Sequence, residues 1–194
     1  LGELLARVND RRSKRLFLKL PPLDAGVAPW RQAQLDIGEI AAGPEAYPGH
    51  PSPAEATEQL MALVRTCAEQ GVDALTVSNT RPTEDLRLSV RSGGLSGKLV
   101  FPNMLQMVAD IRAELGGRVA INACGGIFSG EDAWKALQAG ATTVQLLTGL
   151  IYRGPGIVKR INQELLRLME EKSTRLGWRR ACLIGAIRGE KTAT

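Results

Sequence analysis

Four apolar runs alternate with helical stripes along this chain, and the alternation confines it to a parallel sheet covered by helices. Arg15-Leu16-Phe17-Leu18-Lys19-Leu20 reads as a buried strand, stopped by Pro21-Pro22. Val72 to Val77, Val119-Ala120-Ile121 and Thr143 to Leu147 are the other three runs. Between them apolar residues recur every three or four positions: Leu60, Val64 and Cys67, then Met104, Val108, Ile111 and Leu115, then Trp134 and Leu137. A last stripe follows at Ile157, Ile161, Leu165 and Leu168. Period 3.6 after a continuous apolar run is the mark of a strand–helix unit.

Local signals agree with these boundaries. Ser52-Pro53-Ala54-Glu55 joins an N-cap, a first-turn proline and a glutamate at the capping-box position. Ser129 is placed to cap a third helix, and Gly71, Gly116-Gly117 and Gly140 supply stops. Leu4, Leu5 and Val8 give the end of a helix before the first strand. From Asp24 to about Pro51 the chain carries Pro29, Pro44, Pro48 and Pro51 and reads as a long surface excursion, with a short helix near Trp30 to Ile40. Four units are visible, whereas a closed barrel of this kind takes twice as many and about 250 residues. An open doubly wound sheet is the other architecture, and both bind ligands beyond the carboxyl ends of the strands.

Composition narrows the function. At 194 residues the chain buries a sizeable core as one domain, 1–194, and its 44% hydrophobic and 23% charged residues are ordinary for a globular protein. No apolar stretch approaches the roughly 20 residues that span a bilayer, and no secretory leader opens the sequence. The chain starts at Leu1 inside a helical pattern, so an upstream part is expected. A net charge of +5 attracts anions. Basic residues cluster only at the end (Arg175, Arg179, Arg180, Arg188, Lys191), and a 4% aromatic content argues against stacked bases, so no nucleic-acid partner is expected. A phosphate-bearing cofactor or an anionic membrane surface fits. Cys67, Cys124 and Cys182 are widely spaced and form neither a disulfide framework nor a zinc motif, so no metal is expected. His50 is the single histidine, which leaves little for a histidine-dependent nucleophile.

Three loops carry the chemistry. Ser92-Gly93-Gly94-Leu95-Ser96-Gly97-Lys98 precedes one helix, Cys124-Gly125-Gly126 follows the third strand, and Leu147-Thr148-Gly149 follows the fourth. Backbone without Cβ atoms approaches a flat or anionic ligand closely, and turn amides converge on it. One such loop is usually only a turn. Three at strand ends point to one shared site.

The ordered set Ser78-Asn79-Thr80, Gly93-Gly94-Leu95-Ser96-Gly97-Lys98, Gly125-Gly126-Ile127-Phe128-Ser129-Gly130-Glu131-Asp132-Ala133, Ala139-Gly140-Ala141 with Val144-Gln145-Leu146, and Gly154-Pro155-Gly156-Ile157-Val158-Lys159-Arg160-Ile161 resembles the carboxyl-terminal half of dihydroorotate dehydrogenase, from Leu16 to about Met169. The Gly-Leu-Ser-Gly-Lys form and the Gly-Pro-Gly helix entry are most similar to the quinone-linked, membrane-associated class. The resemblance implies an α/β fold, a (βα)₈ TIM barrel of which this chain supplies strands five to eight. It implies FMN at the strand carboxyl ends, oxidation of dihydroorotate to orotate in pyrimidine synthesis, and electrons passed to a quinone. A peripheral place on the bacterial inner membrane, cytoplasmic side, or on the mitochondrial inner membrane goes with that class.

By the same resemblance, Lys19 sits beside the flavin ring, where a fixed cation favours the reduced form, and Ser78 touches the flavin. Asn79 and Thr80 grip orotate, whose planar polar ring suits amide and hydroxyl groups. Gly97, Gly126, Leu147 and Thr148 hold the FMN phosphate, in keeping with the phosphate site after strands seven and eight of such barrels. Leu147 departs from the tyrosine usual at its position, Asn122-Ala123-Cys124 is an unusual lead into the glycine pair, and the excursion is long for the family. The serine base that takes the proton belongs to the first half of the barrel, so no catalytic base is expected in this segment, and the segment alone is expected to be inactive. The rival readings are another FMN barrel reductase and a catalytically silent phosphate-binding half-barrel.

Overall fold

The computed structural model describes residues 1–22, 53–84, 89–90 and 92–173. The expected excursion at 24–51 with its helix near Trp30 to Ile40, the Ser52 cap, His50, Cys182 and the basic cluster from Arg175 to Lys191 lie outside the described residues.

Helix α1 (Gly2–Asn9) leads into strand β1 (Phe17–Lys19), and α2 (Pro53–Glu69) into β2 (Ala74–Val77). A hairpin of β3 (Arg81–Glu84) and β4 (Ser92–Leu95) follows, then a 3₁₀ turn at Gly97–Val100 and α3 (Phe101–Leu115). The chain continues through β5 (Ala120–Cys124), α4 (Gly130–Gln138), β6 (Thr143–Gln145), α5 (Thr148–Arg153) and α6 (Gly156–Ser173). Strands β1, β2, β5 and β6 form one parallel sheet in chain order. Helices connect its neighbours, as parallel pairing demands. This is the architecture of part of a (βα)₈ barrel.

One face of the sheet carries the core. Leu75 and Val77 of β2 and Ile121 and Ala123 of β5 are fully buried beneath Val64 and Cys67 of α2, Met104, Val108 and Ile111 of α3, Ala133 and Ala136 of α4 and Ile157 of α6. Each buried Leu, Ile, Val or Met removes enough apolar surface from water to be worth about 1.5–3 kcal/mol. The alternate residues form the opposite face, which is uneven in its cover: Phe17 is 59% exposed, Lys19, Thr143 and Gln145 are exposed, and Thr76 is buried. Asn122 organises that face. Its amide donates to Gln145 Oε1 (2.9 Å) and Thr76 Oγ1 (3.3 Å), and its carbonyl accepts from Thr143 Oγ1 (3.0 Å). The unusual residue before the glycine pair therefore links three strands.

Two sequence readings are corrected. The first strand is not buried along Arg15–Leu20: it spans three residues, lies at the edge of the sheet among the described residues, and within Arg15–Leu20 only Leu20, beyond its end, is fully enclosed. An apolar run reports hydrophobicity, but burial needs cover on both faces, and Phe17 and Lys19 stand on the face that the described helices leave open. The first glycine loop is also not simply a loop. Ser92–Leu95 pairs antiparallel with Arg81–Glu84, Gly93 opposite Thr83 and Gly94 opposite Pro82. Glycine is depleted in strands, so its pairing was masked by its propensity.

Candidate functional site

All four strands run the same way, so their carboxyl ends lie along one rim, and the candidate residues gather there in two groups. The first is at β1 and β2. Lys19 closes β1, exposed and in register with Thr76. Its charge acts on Cys124: burial pushes that thiol up, and the Lys19 ammonium opposes the rise. Ser78 is buried just past β2, where its amide donates to Cys124 O (2.9 Å), extending the ladder toward the second glycine loop. Its hydroxyl donates to Asn79 O (3.3 Å).

Asn79 and Thr80 are exposed at the rim. The Thr80 amide donates to Asn79 Oδ1 (2.9 Å), so the Asn79 side chain is oriented with its carbonyl engaged and its Nδ2 hydrogens available to a ligand. Thr80 stands against the hairpin: a Cβ on Gly94 would come within 2.6 Å of Thr80 Oγ1. The glycine at position 94 thus makes room for the Thr80 side chain.

The second group joins the three loops. Gly126 has φ +69°, and a Cβ there would lie 2.8 Å from Gly97 O. Gly97 has φ +78°, and its Cβ position is 3.3 Å from Thr148 Cγ2. Both positions lie in the left-handed region that side chains avoid, so glycine is required for the loops to meet. The Thr148 hydroxyl reaches Ser96 Oγ at 3.4 Å, linking the third loop to the first. The structure therefore brings Gly97, Gly126 and Thr148 together. Leu147 precedes Thr148 and is 64% exposed, so it lies away from the core.

The residue types fit a phosphate. Gly126 is buried, yet its amide meets no acceptor among the described residues, which leaves a donor at the meeting point of the loops. A buried N–H without a partner is rare, and an anion oxygen satisfies it.

Sequence reasoning did not assign Lys98 and Asp132. Asp132 is 5% exposed. One carboxylate oxygen accepts from the Phe128 amide (3.0 Å), the other from Lys98 Nζ, and its own amide donates to the capping Ser129 Oγ (3.2 Å). Burial alone would raise its pKa, but the bonds from Lys98 and Phe128 outweigh that and hold the carboxyl below its ordinary value. The signal was present as an acid three residues after a Ser cap, the capping-box position. Lys98 also lies 4.8 Å from the centre of the Phe101 ring.

Comparison with known proteins bears on the whole arrangement. Residues 50–169 match the family model described as dihydroorotate dehydrogenase; β1 with Lys19 precedes that segment. A dihydroorotate dehydrogenase (quinone) of Methylococcus capsulatus is 40% identical over 116 residues, which cover 58% of this chain and 34% of that protein. The mitochondrial dihydroorotate dehydrogenase (quinone) of Arabidopsis thaliana is 40% identical over 104 residues, 51% of this chain and 23% of that protein. The crystal structure of DHODH from Eimeria tenella in complex with ferulenol superposes with a TM-score of 0.55 at 35% identity, over 60% of this chain and 32% of that one. The chain thus spans about a third of the length of the bacterial relative and of the solved structure. With more than half of its residues matching the family model, and with a parallel sheet whose glycine loops meet at the rim, this chain belongs to the dihydroorotate dehydrogenase family.

Proposed function

We propose that this chain provides the FMN- and orotate-facing half of a quinone-linked dihydroorotate dehydrogenase, which oxidises dihydroorotate to orotate in pyrimidine synthesis and passes the electrons to a quinone. The observation that carries the reading is the meeting of Gly97, Gly126 and Thr148 at one rim within a segment that matches the family. When bound, FMN supplies a two-electron acceptor. The amides of Gly97, Gly126 and Leu147 and the amide and hydroxyl of Thr148 would bind its phosphate. Lys19 would place a positive charge beside the ring. Ser78, its amide already donated to Cys124, would offer its hydroxyl or carbonyl.

Asn79 and Thr80 would orient the substrate. The Nδ2 hydrogens of Asn79 suit a ring carbonyl or a carboxylate, and the Thr80 hydroxyl both donates and accepts. The base that accepts the substrate proton is assigned outside these 194 residues, as the resemblance implies, and the segment alone is proposed to be inactive. Among the described residues no helix is long and apolar enough to cross a membrane. We place the protein peripherally on the bacterial or mitochondrial inner membrane, following the quinone-linked relatives.

The test uses the FMN-loaded chain titrated with orotate. Asn79→Ala removes a donor from a site whose partner would then be left unsatisfied, a cost of about 1–3 kcal/mol. The expected result is at least roughly tenfold weaker orotate binding with FMN retained. Unchanged orotate affinity would remove Asn79 from the substrate site.

A further inference from the structure

We propose that Lys98 and Asp132 are positioning residues for the phosphate: their ion pair fastens the first glycine loop to the second and so sets the preference for a phosphorylated flavin. The inference rests on the FMN reading above and extends it to residues that touch neither ring nor phosphate.

The geometry is specific. Lys98 follows Gly97 directly, and Phe128 stands two residues after Gly126. One buried carboxylate holds both, accepting from Lys98 Nζ on one side and the Phe128 amide on the other. Asp132 cannot drift, because α4 fixes its backbone and Ser129 accepts its amide hydrogen. A capping-box acid ordinarily turns back to its own cap residue. Here it reaches one residue further and also bonds a different loop. Lys98 is braced in turn over Phe101, whose Cβ lies 2.6 Å from the Cβ position of Gly126. Phe101 Cα and Cβ thus back Gly126, and the Phe128 ring and Thr148 back Gly97.

The side chains differ in exposure: Asp132 is 7% exposed and Lys98 55%. An exposed pair contributes little. A buried carboxylate with two donors is different, since losing one donor leaves a charge undersolvated. The pair therefore limits how far the two loops can separate. Amides held at a fixed spacing bind an anion without a further ordering cost, and Asp132 and Lys98 supply that spacing without spending the glycine amides.

The test compares FMN with riboflavin, which lacks the phosphate, by direct titration of the full chain. Wild type is expected to bind FMN at least about tenfold tighter. Asp132→Asn and Lys98→Met are each expected to lower that ratio about fivefold or more while riboflavin affinity stays within about twofold, and Lys98→Arg to restore most of the ratio. Lys98→Met keeps the test open if Asp132→Asn fails to fold, because Lys98 is half exposed. Equal wild-type affinity for both ligands would overturn the phosphate reading itself. An unchanged ratio in the variants, beside a normal wild-type ratio, would overturn the ion pair's role and leave the reading intact. Parallel loss of both ligands would also overturn it, as a general effect on folding.

Discussion

Gly126→Val is expected to eliminate FMN binding and to lower the melting temperature by several degrees. The residue sits at φ +69°, where a β-branched side chain is strained by about 1–3 kcal/mol. Space is the larger obstacle. The new Cβ would come within 2.6 Å of Phe101 Cβ, 2.8 Å of Gly97 O and 3.0 Å of Phe101 Cα. Two of those atoms are backbone, so no rotamer change relieves the contact. The first and second loops must move apart, and the amides proposed to bind the phosphate separate with them. Isothermal titration with FMN and a thermal melt check the two halves of the prediction. Full flavin stoichiometry in a folded Gly126→Val chain would contradict the cradle.

Gly130→Val is expected to unfold the chain more readily than any change at the rim, by more than about 3 kcal/mol. Gly130 opens α4 at its contact with α6. A Cβ there would lie 2.3 Å from Glu164 Cβ and 2.7 Å from Leu165 N, inside the backbone of the other helix. The Glu164 carboxylate, which accepts the Gly130 amide at 2.6 Å, would be forced out. Separating the helices also uncovers Ala133, Ala136, Ile157 and Ile161, which are buried beneath and between them. Urea unfolding measures the cost as a shift in midpoint. An unchanged midpoint would mean that α4 and α6 do not pack as described.

These glycines also show what the sequence could reveal. Period 3.6 in Met104, Val108, Ile111 and Leu115 identified α3, because a helix that covers a sheet has one dry face. The Ser129 cap was legible for the same local reason: its hydroxyl bonds an amide three residues away. The strand ends, and with them the rim, followed from the residues after each apolar run: Pro21-Pro22, Ser78-Asn79-Thr80, Gly125-Gly126 and Thr148-Gly149. Gly130 was different. Nothing near it in sequence announces that α6 crosses within van der Waals range, since that contact joins residues 34 apart. The Lys98–Asp132 pair was hidden likewise, as were the β3–β4 hairpin and the Asn122 network. Each depends on which segments the sheet brings together, and the order β1-β2-β5-β6 is a property of the fold. The short helix α5 was also missed: with only the six residues Thr148–Arg153 it has too few turns to show a period.

The exposure of Phe17, Thr143 and Gln145 fits the same account. They alternate with the helix-covered residues and so face the side that a barrel encloses. The candidate flavin and substrate groups lie on the rim above them.

The most direct test of the account is a titration of the full, isotopically labelled chain with FMN, followed through its backbone amide resonances. Three strand-end loops that form one phosphate site respond together. The predicted result is a concerted, saturable shift of the Gly97, Gly126, Leu147 and Thr148 amides, the largest at Gly126, with riboflavin failing to reproduce it. Shifts confined to the depression between α4 and α6, lined by Glu131, Glu164 and Arg167, with those four amides unmoved, would contradict it.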